Sequence, residues 1–214
     1  SAMGYAALFT NILSDRNVAI GNNALYTHNQ ATSVDSNNVA VGFSAGAAVT
    51  TGINNTLIGG SAGDLLTDAD NNVAVGAGAL GSDTLGSKST AIGKDALGVQ
   101  NFTTATDSNN VAVGFLAGGA VTTGIFLTLV GTNAGGDLTE GDSNVAVGTS
   151  ALSTDTKGDR NIAIGSSALG TQNFTTKTDS YNIGVGHSAG GAVTTGIDNT
   201  LMGGLAGDAL TDAD

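Results

Sequence analysis

The stretch Asn38–Gly46 reads N-V-A-V-G-F-S-A-G, and Asn17–Leu25 reads N-V-A-I-G-N-N-A-L. The central glycine of this phrase recurs twelve times along the chain, at Gly4, Gly21, Gly42, Gly59, Gly76, Gly93, Gly114, Gly131, Gly148, Gly165, Gly186 and Gly203. The spacings between successive central glycines run 17, 21, 17 and 17, and then repeat in that order. A short fixed period is typical of a solenoid, in which each repeat is one turn and neighbouring turns bury each other.

We call the segment that carries each central glycine a rung, and four rungs make a 72-residue module, as from Gly4 to Gly76. The period predicts one domain over residues 1–214, built from three such modules with rung lengths of 17, 21, 17 and 17. The fold class that we predict is an all-β parallel β-roll solenoid of about twelve rungs. At about 4.8 Å per rung, it would be about 58 Å long.

The three residues before each central glycine favour a β-strand. A bulky residue always comes directly before the glycine, and Val, Ile or Thr stands two positions earlier wherever the chain reaches back that far. β-branched residues favour strands, and side chains two positions apart share one face of a strand. The residue between them is Ala in eight rungs and Leu in three, so both faces are apolar. One face can line the solenoid, and the other predicts burial against another subunit.

Three further columns of equivalent positions predict how the rungs stack. Asn stands four before the glycine in nine rungs, which indicates a ladder of amides bonding to neighbouring rungs. Ala stands three after the glycine in all twelve rungs, where only a small side chain would fit a close approach. The glycine itself is expected to have a positive φ. Each rung also supplies one large aliphatic residue, either four or seven positions after the glycine, as a narrow core requires.

Two features are candidates for ligand recognition. The 21-residue rungs carry four extra residues near 28–35, 100–107 and 172–179, which predict surface loops that serve either recognition or only as turns. In the middle module, apolar residues replace polar ones of the other modules, which indicates either a binding patch or neutral drift at a partly buried contact. The residues of this candidate patch are Phe115, Leu116, Phe126 and Leu127.

Composition argues against several classes of function. A net charge of −12 disfavours nucleic acid and anionic membranes as partners, and no apolar run is long enough to predict a membrane span. There is no cysteine, and we find no catalytic motif, so we expect neither an enzyme nor a cofactor. The acidic pairs are interpreted as solvated turns, namely Asp68/Asp70, Glu140/Asp142, Asp155/Asp159 and Asp212/Asp214. The two histidines, His28 and His187, lack the spacing of a metal site.

The phrase [NS]-[VT]-A-[IV]-G-x-x-A-[LG], from Ala2 to Leu210, resembles the head repeat of YadA-like trimeric autotransporter adhesins, and similar arrays occur in bacteriophage tail fibres. The resemblance implies a left-handed parallel β-roll that forms a tight homotrimer. The chain departs from the autotransporter pattern in its 17-residue rungs and 72-residue module, and it shows no neck or membrane anchor. These departures favour the phage-fibre interpretation, and we expect the chain to be an excerpt from a longer array.

The resemblance implies a non-enzymatic surface attachment or fibre protein, located outside the cell on a bacterial surface or on a virion. The alternative is a purely structural spacer with the binding tip elsewhere. The expected partners are two further copies of the chain and a host-surface glycan or protein receptor. From the apolar middle column of the strands we predict a trimer interface at Ala19, Ala40, Leu57, Ala74, Ala112, Leu129, Ala146 and Leu201.

Overall fold

The structure, a computed structural model, describes residues 1–212, so Asp214 of the last acidic pair lies outside the described residues. The described chain is an all-β parallel β-solenoid of about twelve turns, with no helix in these residues. It divides into two compact units, Ser1–Asn109 and the part from Asn110 onward. The solenoid confirms the predicted fold class, while the single domain over residues 1–214 stays a prediction.

Each unit is built from short strands. The strands of the first unit are β1 (Ala2–Met3), β2 (Ser14–Asp15), β3 (Val18–Ile20), β4 (Val34–Asp35), β5 (Val39–Val41), β6 (Thr56–Ile58), β7 (Val73–Val75), β8 (Gly86–Ser87), β9 (Thr90–Ile92) and β10 (Thr106–Asp107). The strands of the second unit are β11 (Val111–Val113), β12 (Thr128–Val130), β13 (Val145–Val147), β14 (Gly158–Asp159), β15 (Ile162–Ile164), β16 (Thr178–Asp179), β17 (Ile183–Val185) and β18 (Thr200–Met202).

Within each unit, the strand before a central glycine pairs in parallel with the same strand of the next rung. In the first unit the order is β1-β3-β5-β6-β7-β9, and in the second it is β11-β12-β13-β15-β17-β18. The register is in phase, because Ala40 lies opposite Leu57 and Leu129 lies opposite Ala146. Short parallel pairs flank each long loop: β2 with β4, β8 with β10, and β14 with β16.

The core of each unit is thin and alternates the position of its large side chains. Ala40, in the middle of β5, is fully buried, and so is Ala45, three after a central glycine. Where the next position is glycine, as at Gly46 and Gly63, a leucine from another column takes the space, since a Cβ built on Gly46 would lie 2.6 Å from Cδ1 of Leu57. This confirms the predicted constant-volume core, with Leu57 as a filler that the prediction had not placed there.

The central glycines hold an unusual backbone conformation. Their φ angles lie between 118° and 144°, a region that residues with a Cβ rarely adopt. The amide of Gly59 donates to the Val41 carbonyl at 2.8 Å, and a Cβ on Gly59 would lie 2.5 Å from the carbonyl oxygen of Gly76. Two constraints therefore require glycine at these positions, namely the φ angle and the close approach of the next rung. The predicted positive φ is confirmed.

The asparagine column forms the predicted ladder in both units. The Asn55 side chain is fully buried, and its Oδ1 accepts a hydrogen bond from the Asn72 amide at 2.9 Å. Its Nδ2 donates to the Ala69 carbonyl at 2.7 Å. Equivalent bonds from backbone amides to Oδ1 occur at Asn17, Asn38, Asn72, Asn110, Asn144, Asn161 and Asn182. Each carboxamide thus makes hydrogen bonds to buried backbone groups that have no access to water.

Adjacent glycines in one rung give a test of the glycine column. We expect Gly59→Ala to destabilise the chain by at least about 2 kcal/mol, because it combines backbone strain with overlap on the next rung. Gly60→Ala is the control, since Gly60 is not among the positive-φ residues and has no atom within 4 Å of a built Cβ. Urea denaturation followed by circular dichroism measures both variants, and equal midpoints would contradict the role assigned to Gly59.

The ladder has its own test. Asn55→Ala removes an acceptor and a donor from buried backbone groups, which we expect to lower the free energy of unfolding by about 3 kcal/mol. Asn22→Ala changes an exposed asparagine, for which we expect a change below about 0.5 kcal/mol. Thermal and urea melts of the two variants decide the matter, and a neutral Asn55→Ala would show that the ladder contributes nothing net to stability.

Candidate functional site

The outer side of the sheet of each unit is an apolar surface. In the three-residue strands of residues 18–164 the middle side chain is buried and the two flanking side chains are partly exposed, as in Ile92 and Ile164, each 39% exposed. The flanking side chains of β17 and β18 are also partly or fully exposed, around Gly184 and the half-buried Leu201. We call these flanking positions the outward sheet face. They are Val18, Ile20, Val39, Val41, Thr56, Ile58, Val73, Val75, Thr90 and Ile92 in the first unit, and Val111, Val113, Thr128, Val130, Val145, Val147, Ile162, Ile164, Ile183, Val185, Thr200 and Met202 in the second.

The outward sheet face is uncharged in a strongly acidic chain. All of its members are Val, Ile, Thr or Met, although the chain as a whole carries a net charge of −12. Its rungs are in register, so the side chains form two straight apolar columns in each unit. An exposed, regular apolar face of this kind is typical of surfaces that bind another protein.

The structure corrects the predicted trimer interface. The eight residues assigned to it point into the interior of their own unit, where all except Leu201 have no exposed surface and Leu201 is half-buried. Side chains already buried in one chain cannot contact a second. The strand does have two apolar faces, but the middle column is the inner face. The corrected residues are Ala19, Ala40, Leu57, Ala74, Ala112, Leu129, Ala146 and Leu201.

The candidate ligand patch of the second unit is divided by the structure. Leu127 takes an asparagine position of the ladder and is 1% exposed, and Leu116 is half-buried. Phe115 and Phe126 are exposed, at 47% and 54%. Phe126 precedes β12, whereas Phe115 follows β11, so the parallel register places them at opposite ends of the strands. The two rings therefore flank the outward sheet face and do not form one patch.

The long rungs are anchored by buried polar networks that sequence analysis missed. The interpretation of Asp155/Asp159 as a solvated turn is wrong, because both side chains are buried, with Asp159 only 7% exposed. In the third module, Asp155 is fully buried, and its Oδ1 accepts hydrogen bonds from the Gly158 and Phe174 amides at 3.1 and 3.0 Å. Its Oδ2 accepts a hydrogen bond from Nε2 of Gln172 at 2.6 Å, and Oε1 of Gln172 accepts one from Asn182. The network therefore ties the start of the 172–179 loop to the rung before it.

The second module repeats this arrangement at its equivalent positions. Asp83 Oδ1 accepts hydrogen bonds from the Gly86 and Phe102 amides, and its Oδ2 accepts one from Gln100 at 2.6 Å. Burial raises the pKa of the Asp83 carboxyl above its ordinary value. The recurrence of Asp and Gln at positions that are aliphatic in the other rungs was the available signal, since a polar residue in a core column calls for a partner.

An exposed ion pair closes each long loop. Arg16 and Asp35 lie 2.9 Å apart, and the equivalent residues of the next two modules form the same pair. These pairs are Lys88 with Asp107, and Arg160 with Asp179. The loop tips 31–33, 103–105 and 175–177 are exposed, whereas Phe102 and Phe174 fold inward at 6% and 7% exposure. Each loop therefore presents three residues on a fixed base, as a recognition loop would.

Rings at the start of the chain line a shallow groove. Phe9 and Tyr26 stack with their centroids 5.4 Å apart, and with Tyr5, Ala6 and Asn23 they enclose about 300 Å³. No group of three or more His, Asp or Glu residues within 1–212 could hold a metal ion. In the same residues, no helix is long and apolar enough to cross a membrane.

Comparison with known proteins adds no identification: no family model, no curated protein and no solved structure matches this chain.

The buried networks lead to a test in the third module. Asp155→Ala leaves two buried amides and Gln172 without their acceptor, and we expect a loss of about 3 kcal/mol or more. The matched control is Asp137→Ala, which removes an exposed carboxylate and should change stability by less than about 0.5 kcal/mol. Chemical denaturation of both variants measures the difference, and similar stabilities would mean that the network is dispensable.

Proposed function

We propose that this chain is a non-enzymatic segment of a trimeric attachment fibre, of the class that its repeats resemble. In this proposal it assembles with two further copies of itself through the outward sheet face. The observation that carries the proposal is the pair of uncharged, in-register apolar columns on the surface of each unit. The trimeric state and the left-handed roll come from the resemblance of the repeats.

The first support is that each unit already has a complete core. Ala and Leu fill the interior, so the flanking Val and Ile residues are not needed for the fold of a single chain. Covering one partly exposed Ile contributes on the order of 1 kcal/mol, and the columns repeat this gain on every rung. A repeated gain of this size can exceed the entropy lost on association.

The second support is the regularity of the face. A partner that covers the columns along their length must present apolar side chains at the same spacing, which a second copy of the chain does by construction. The absence of charge from these columns matters as well, since acidic chains with a net charge of −12 repel one another elsewhere.

The attachment role is supported by the three recurring loops. Their tips are exposed while their bases are fixed by ion pairs and hydrogen bonds, so a trimer would present nine such loops on fixed bases. A host-surface glycan or protein receptor is the proposed ligand, on a bacterial surface or a virion. The alternative is a structural spacer with its binding tip elsewhere, and it is favoured by the ladder bonds between rungs, which stabilise the fold without presenting any group to a ligand.

Two substitutions in one rung test the assembly. Ile92→Asp places a carboxylate on the outward sheet face, where a trimer would bury three of them without partners. We expect this variant to stay folded by circular dichroism but to fall from three times the 20.7 kDa of one chain to a single chain in light scattering. Val99→Asp, at a residue 45% exposed and outside the strands, should keep the trimeric mass.

The mass of the unsubstituted chain in light scattering is the decisive measurement. A stable monomer at micromolar concentration would overturn the trimer, and so would an Ile92→Asp variant with the parent mass. Attachment is tested separately by binding of the assembled chain to a glycan array and to host cells. No binding to the glycan array or to host cells, with the trimer intact, would favour the structural spacer.

A further inference from the structure

The first module departs from the other two at its long rung. Gln100 and Gln172 each donate to a buried aspartate, but the equivalent position of the first module is His28. The equivalent of Asp83 and Asp155 is Asn11, so the carboxylate is missing as well. The same network position is thus occupied by a titratable ring in one module and by a neutral amide in two.

The first module satisfies its backbone by another route. Oγ of Ser14 accepts the hydrogen bond of the Gln30 amide at 3.2 Å, a role that Asp83 Oδ1 takes for Phe102 in the second module. Asn11 keeps the bond that Asp83 makes to Gly86, because its Oδ1 accepts from the Ser14 amide at 3.2 Å. Its Nδ2 donates to the Ser14 carbonyl at 2.9 Å. Neither residue bonds the imidazole.

The His28 ring is consequently buried without a hydrogen-bond partner. The residue has no exposed surface, and within the described chain neither Nδ1 nor Nε2 has a partner in hydrogen-bond geometry. The Thr50 backbone is the one polar group that favours the charged ring, and the effect of burial on the His28 pKa is larger. Nδ2 of the ladder residue Asn17 is also unpaired within these residues. A neutral imidazole tolerates such a site at a modest cost, but a charged imidazolium does not, since a buried charge requires a partner.

We propose that His28 makes the first module acid-sensitive: protonation of its buried ring opens the 28–35 loop, while the long loops of the second and third modules stay closed. The ionisable side chains of the surrounding rungs, residues 1–58, are Asp15, Arg16 and Asp35, together with two tyrosines. Asp15, Arg16 and Asp35 are all exposed, and Asp35 is paired with Arg16. None of them replaces the missing buried carboxylate.

The direction of the effect follows from linkage. Burial lowers the pKa of His28 below its ordinary value of 6.5. A base whose pKa is lowered by folding contributes stability above the unfolded pKa, and this is lost as the pH falls below about 6.5. Asp83 behaves oppositely, because burial raises its pKa and the folded form gains stability as the pH falls toward that value. Acidification therefore lowers the stability of the first module while it raises that of the second.

Hydrogen exchange of the full chain resolves the three loops. The amides of Val34 and Ser36 are bonded across the base of the first loop, to Leu13 and Asp15 at 3.3 and 3.1 Å. The matched amides are Thr106 and Ser108 in the second module, and Thr178 and Ser180 in the third. Between pH 7.5 and pH 5.0, we expect the protection factors of Val34 and Ser36 to fall relative to both matched pairs, by up to about thirtyfold, since opening takes up one proton and pH 5.0 lies about 1.5 below the ordinary pKa of histidine.

Substitution identifies the group responsible. His28→Gln installs the residue of the other modules and should remove the pH-dependent loss, whereas His187→Gln, at the exposed second histidine, should leave it unchanged. The double variant Asn11→Asp with Ser14→Gly restores a carboxylate beside His28. It should cancel the loss as well, and the glycine is included because a Cβ at the equivalent Gly86 would lie 2.8 Å from the Asp83 carboxyl carbon.

Equal changes of protection in all three modules, or a loss that persists in His28→Gln, would overturn the proposal. The unmodified chain gives an independent outcome that does not depend on any variant folding. In an NMR titration, the His28 ring should titrate below pH 6.5 or be accompanied by loop opening. A His28 ring that titrates at or above pH 6.5 with the loop closed would also overturn it.

Discussion

The structure depends on how closely successive rungs approach at the central glycines. There the carbonyl of one rung occupies the space that a Cβ of the previous rung would take, and the backbone adopts a φ that favours glycine. With this contact in place, each strand pairs in register, the asparagine ladder reaches the next amide and the alanines three residues later enter the core. The glycines recur at a short period in the sequence because every rung makes this contact.

Much of the fold could be predicted because these constraints act on single residues. Each constraint selects one residue type at the same position of successive rungs. Glycine is required by its φ angle, asparagine by its bonds between two rungs, and alanine by a close approach. The assignment of inside and outside was not predicted correctly, since both strand faces are apolar. Leu57 and Leu129 carried the missing information: such leucines occur only in rungs whose residue after the recurring alanine is glycine, so they complement a gap in the same core.

The candidate site was harder to predict because its parts act in pairs. Asp155 and Gln172 lie in successive rungs and appear isolated along the chain, yet they form one buried contact. The candidate patch around Phe115 and Leu127, for which neutral drift at a partly buried contact was the alternative, illustrates the opposite case. Its residues are near in sequence, but a strand in register separates their side chains or buries them. Polar residues that recur at the same position of successive modules would have indicated the buried networks. They would not have indicated the geometry of the hydrogen bonds.

The central claim is that, within each unit, every rung is bonded to its neighbour through the glycine column, with the long rungs looped out and the register kept. Hydrogen-bond scalar couplings in an isotopically labelled chain test this most directly. The account predicts a coupling from each central glycine nitrogen to the carbonyl carbon of the residue just before the previous central glycine. Examples are Gly59 to Val41 after a short rung and Gly42 to Ile20 after a long one. Couplings in any other register, or none at the glycines, would contradict it.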